Sequence, residues 1–119
     1  MLIRVILTVL ITCISFATNA EEVSATSFDG RWCGKWDKIY SLCIEIKDLK
    51  NNPVANYQWQ EQTNGKFQKT TKRITVVNQH TIKLENIFMT LDKNDAFKAK
   101  VIGMFTQQTR YADLEKQKN

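Results

Sequence analysis

Gly30-Arg31-Trp32-Cys33-Gly34-Lys35-Trp36 is answered by Tyr40-Ser41-Leu42-Cys43-Ile44-Glu45-Ile46. Even positions carry Trp32, Gly34, Trp36, Tyr40, Leu42, Ile44 and Ile46, while odd positions carry Arg31, Cys33, Lys35, Asp37, Ser41, Cys43, Glu45 and Lys47. Period-two alternation on both sides of a short polar bend reads as two antiparallel strands with one wet face. With the bend centred on Lys38, Cys33 falls opposite Cys43, Trp36 opposite Tyr40 and Trp32 opposite Ile44. The two cysteines then share a face, as a cross-strand disulfide requires.

The rest of the chain repeats this grammar. Val54 to Glu61 reads as a third strand with Tyr57 and Trp59 on one face. Asn64-Gly65 signals a type I′ hairpin, because both residues tolerate positive φ. Phe67 to Arg73 returns as a polar strand that Ile74 to Val77 either continues or follows. His80 to Leu84, Ile87 to Leu91, Ala96 to Ile102 and Met104 to Tyr111 complete the series, with a break near Gly103. Pro53 lies in the turn-rich stretch from Lys47, where it costs no ladder bond. Short strands with turn signals every eight to twelve residues predict an all-β antiparallel meander closed as a barrel or a sandwich.

Outside that meander lie two flanks. Met1 to Ala20 has a positive start at Arg4, an apolar run from Val5 to Phe16 and small residues before Ala20, the pattern of a secretory signal peptide cut after Ala20. The run is shorter than the roughly 20 residues of a bilayer span. Cys13 in Leu10-Ile11-Thr12-Cys13 raises the alternative of an acylated lipoprotein. Residues 21–112 form the expected barrel domain, and residues 113–119 read as a polar tail.

Export sets the chemistry of the cysteines. Cys33 and Cys43 remain after cleavage, and an oxidising compartment pairs them. Closing a loop of about ten residues contributes about 2–3 kcal/mol in the chain-entropy model. One histidine and no second cysteine pair give no metal site. The chain carries +5, and Arg4 is the only charge in the leader, so +4 remains on the domain. Such basicity suits anionic partners, but Lys and Arg are spread along the chain as a solvated surface would have them. Nucleic acid is not expected of an exported protein, and no later run is apolar enough to span a membrane.

Gly30-x-Trp32 opening a β meander resembles the calycin superfamily of lipocalins, fatty-acid-binding proteins and avidins. Of the two closures, the resemblance implies the all-β, roughly eight-stranded antiparallel barrel, its base closed by an arginine from a late strand lying over the tryptophan. Arg110, near the end of the β region, matches that arginine, with cation–π contact to Trp32 worth about 0.5–2 kcal/mol. Gly34-x-Trp36 is more similar to small secreted bacterial barrels. The resemblance carries over the fold and the idea of ligand binding.

Trp32, Trp36, Tyr40, Tyr57 and Trp59 form a dense aromatic set. These rings either plug an interior only just wide enough for side chains or offer a stacking platform to a ligand. Trp36, Tyr57 and Trp59 are the expected ligand contacts at a barrel mouth; Gly30, Trp32 and Arg110 are structural. The expected function is that of an exported, non-enzymatic binding protein for a small, partly apolar molecule, without cofactor. The alternative is a periplasmic or secreted protein-interaction module, an inhibitor or envelope-associated factor. His80 reads as a solvated turn residue with no triad partner. Glu45 and Glu61 are the one conceivable carboxylate pair, although Glu45 falls on a polar face. Lys66, Lys69, Lys72 and Arg73 read as a charged edge strand.

Overall fold

The computed structural model describes residues 27–118. The leader at 1–20 and Cys13 lie outside them. Eight strands follow in order: β1 (Gly30–Trp36), β2 (Tyr40–Ile46), β3 (Val54–Gln60), β4 (Phe67–Val76), β5 (Thr81–Leu84), β6 (Ile87–Leu91), β7 (Lys98–Met104) and β8 (Thr109–Lys116). Each pairs antiparallel with the next, and β1 pairs with β8, closing the barrel. The described residues contain no helix.

The β1–β2 register is the one its alternation dictates. Cys33 faces Cys43, Trp36 faces Tyr40 and Trp32 faces Ile44. Cys33 and Cys43 are disulfide-bonded across the outer face, with Cα atoms 4.1 Å apart. Even positions of both strands point inward, so Trp32, Leu42, Ile44 and Ile46 are buried. Ile82, Leu84, Ile87, Met89, Val101 and Leu114 fill the barrel from the remaining strands.

The turn between β1 and β2 carries Asp37 and Lys38 at φ 51° and 64°, closed by Ile39 N–H donating to the Trp36 carbonyl at 2.9 Å. Left-handed backbone costs an L-residue about 1–2 kcal/mol. Tyr111 offsets this cost, because its carbonyl accepts from Asp37 N–H at 2.7 Å and its N–H donates to Asp37 Oδ1 at 3.1 Å.

Gly34 lies beside Leu114 of β8. A Cβ there would run into the Asp113 carbonyl oxygen, so this glycine permits the close approach of the β8 backbone. Gly30 takes φ 136°, where a side chain would be strained.

Four expectations change. Gly103 sits inside β7 rather than at a break, and the last turn falls at residues 105–108. The last strand runs to Lys116, past the expected boundary at 112, because Leu114 supplies one more inward position. Asn64-Gly65 does not form a two-residue hairpin. Asn64 alone takes positive φ, within a Gln62–Gly65 turn closed at 3.0 Å. Arg110 does not cover Trp32. β8 runs opposite to β1, so Lys116 is the residue level with Trp32, and its Nζ lies 5.4 Å from the indole centroid.

The disulfide closes a ten-residue separation. Replacing both Cys33 and Cys43 with Ala should lower the unfolding free energy by about 2–3 kcal/mol. Urea denaturation followed by tryptophan fluorescence would show the loss, with the barrel's far-UV dichroism unchanged below the transition.

Candidate ligand site at the barrel mouth

In an antiparallel meander, the β1–β2, β3–β4, β5–β6 and β7–β8 connections all lie at one end. At the opposite end the barrel is plugged. Trp32 is fully buried there, its Nε1–H donating to the Phe28 carbonyl at 2.9 Å. Phe28 and Leu49 are buried with it, and Asp29 Oδ1 accepts from Leu49 N–H at 2.9 Å.

The first end is open. A cavity of about 410 Å³ is lined by Trp36, Tyr40, Tyr57, Trp59, Glu61, Thr70, Lys72, Asn86, Phe105 and Arg110. All three expected contacts, Trp36, Tyr57 and Trp59, meet there. Trp36 and Tyr57 are only 2% and 3% exposed, so they form the floor. Trp36 Nε1–H donates to Tyr57 Oη at 2.8 Å, which satisfies the buried indole donor and gives the phenol oxygen a partner. Tyr57 stacks on Trp59, with centroids 4.8 Å apart and planes 12° apart. Phe105 meets Trp36 edge-on at 5.6 Å. Gly103 makes room for that contact, since a Cβ there would clash with both rings.

Two cations border the rings. Lys72 Nζ lies 5.7 Å from the Tyr57 centroid, bonds Asn86 Oδ1 at 2.7 Å and has a long ion pair to Glu85 at 3.9 Å. Arg110 lies 5.0 Å from the Tyr40 centroid and pairs with Asp37 Oδ2 at 2.8 Å. With its oxygen turned inward, the Gln108 amide accepts from Arg110 at 2.6 Å. Burial pushes the Tyr57 phenol up to about 12 from 10.0, against the opposing pull of the Trp36 hydrogen bond and the Arg110 charge.

The alternation did not reveal Lys72, Thr70, Asn86, Glu61 or Phe105 as mouth residues. Lys72 was legible in principle, because it shares parity with buried Ile74. The other members of its basic group, Lys66, Lys69 and Arg73, are exposed. Glu45 and Glu61 do not converge, since Glu45 sits on the outer face opposite Arg31, whereas Glu61 lines the mouth. His80 is exposed in the turn before β5, its N–H capped by Asn78 Oδ1 at 2.8 Å. Among the described residues, no cluster of His, Cys, Asp and Glu could hold a metal ion, and no helix is long and apolar enough to cross a membrane.

No protein-family model matches the chain, and no curated protein or solved structure is significantly similar to it.

Two outcomes follow for Tyr57. Tyr57→Phe strands the Trp36 N–H in a buried site and should cost about 1–3 kcal/mol in thermal or urea unfolding. The folded phenol's pKa exceeds its unfolded value, so its contribution to stability is complete below pH 10 and is lost as pH rises from 10 toward 12. The difference in 295 nm titration between the native chain and Tyr57→Phe should therefore place this ionisation near pH 12.

Proposed function

We propose that the chain is an exported, calycin-like binding protein that does no chemistry and holds a small, partly apolar ligand in its mouth. One observation carries this reading: five aromatic side chains converge on a 410 Å³ opening that also presents Lys72 and Arg110. An apolar wall with few convergent polar groups is the usual make-up of a small-molecule site. The stacked Tyr57–Trp59 pair offers a flat face for a ring or a chain, and the two cations favour a ligand with an acidic or hydrogen-bonding end. Export is supported by the leader-like sequence at 1–20 and by the Cys33–Cys43 bond, which an oxidising compartment sustains.

Trp59 is the residue to vary, because Trp36 is buried and hydrogen-bonded and its removal would test folding instead. Titration with 1-anilinonaphthalene-8-sulfonate, an aromatic anion of suitable size, should quench tryptophan fluorescence in the native chain. Trp59→Ala should weaken that binding about tenfold, the order expected for losing a stacking partner of 1–1.5 kcal/mol. Equal binding by Trp59→Ala, with a native-like melting transition, would place the dye elsewhere and remove the mouth from consideration.

A further inference from the structure

β4 is ten residues long, but β5, its neighbour on one side, is four. The β4–β5 ladder consists of Ile74↔Leu84, Thr75↔Lys83 and Val76↔Ile82. β3, on the other side, pairs with β4 from Phe67 to Arg73. The upper part of β4 is therefore a sheet edge inside an otherwise closed barrel.

The hydrogen-bonding sense of each residue follows from the flanking bonds. Ile74 N–H donates to the Pro53 carbonyl on the β3 side at 2.8 Å. Alternation then turns Lys72, Thr70 and Gln68 toward β3 and turns Arg73, Thr71, Lys69 and Phe67 toward the open side. Val77 N–H, of the same parity as Arg73, duly donates to the Thr81 carbonyl. Arg73 N–H meets no strand; it donates to the Glu85 Oε2 carboxylate at 3.0 Å. Beyond it, the N–H and C=O groups of Thr71, Lys69 and Phe67 have no partner strand among the described residues.

We propose that this edge, residues 67–71, accepts an added strand from a partner protein, an extended acidic segment that completes the wall beside the mouth. Strand addition draws affinity from main-chain hydrogen bonds and specificity from alternate side chains. The charges select the segment. Lys66, Lys69 and Arg73 stand exposed around the edge, and Lys72, on the inner side, bonds the neutral Asn86 amide and meets a carboxylate only at the 3.9 Å of its Glu85 pair. The fold itself already answers the lowest free position with a carboxylate, that of Glu85. A second copy is disfavoured, since edge-to-edge pairing would bring the Lys69 and Arg73 side chains of two molecules together. The inference does not depend on a small ligand in the mouth.

The test uses a seven-residue peptide in which glutamate alternates with valine, titrated into isotope-labelled protein. The amide signals of Phe67, Lys69 and Thr71 should shift and exchange with solvent more slowly, while those of Gln68 and Thr70 gain no protection. The same peptide with lysine for glutamate should bind at least tenfold more weakly. Lys69→Glu with Arg73→Glu should weaken the acidic peptide about tenfold at low salt and less at high salt. Thr71→Pro removes one edge N–H without touching the β3 ladder and should weaken binding about two- to tenfold. If Thr71→Pro does not fold, the charge reversal still decides. Equal binding of both peptides, protection absent from Lys69 and Thr71, or protection that appears without peptide and rises with protein concentration would each overturn the proposal.

Discussion

A buried hydrogen bond, Trp36 Nε1 to Tyr57 Oη at 2.8 Å, marks the level at which the filled barrel ends and its mouth begins. Below it the inward positions are apolar, from Trp32 through Ile44 to Leu84 and Met89. Across from Tyr57 the inward positions of β4 turn polar, with Gln68 paired to Trp59, Thr70 to Tyr57 and Lys72 to Ala55. Neither the indole nor the phenol could be buried there alone, because an unpaired polar handle costs about 1–3 kcal/mol. Each is the other's partner, so both rings can face inward while their neighbours meet water. The same burial keeps the phenol protonated, its pKa raised to about 12.

The rim is braced by one strand acting at both ends. β8 places Arg110 against Tyr40 at the mouth and Lys116 against Trp32 at the base. Both are inward positions of the same alternation, and each cation lies over a ring, at 5.0 Å from Tyr40 and 5.4 Å from Trp32. Arg110 also holds Asp37, the first of the two positive-φ residues in the β1–β2 turn. The mouth is thus tied to the turn most demanding in backbone geometry.

Period-two alternation reports which face a residue takes, and with the turn signals it makes legible the antiparallel meander, the Cys33–Cys43 pairing and the shared face of Tyr57 and Trp59, whereas the closed barrel and its mouth are legible only through the calycin resemblance. It does not report height along the barrel. Arg110 is assigned to the base by the calycin resemblance, and alternation offers no check on that assignment, since the parity is right and only the level is wrong. Alternation also falls silent where both faces are polar. In Phe67 to Arg73 nothing distinguishes inward Lys72 from outward Lys69 except counting back from Ile74. The tail boundary failed in the opposite way, because one leucine, Leu114, suffices to continue a strand when the neighbours on both sides are already in place.

Unequal hairpins connect these features. β3 and β4 rise well above the mouth floor, whereas β5 and β6, four and five residues long, stop low. The wall is therefore high on one side and notched on the next, at the level of Asn86 and Lys72. An ammonium group facing a dry interior would be costly, but here Lys72 sits beside the notch, 14% exposed and bonded to Asn86. The notch accounts for both the access to the aromatic floor and the unpaired stretch of β4. A longer β5–β6 hairpin would abolish both together, burying Lys72 as it closed the edge.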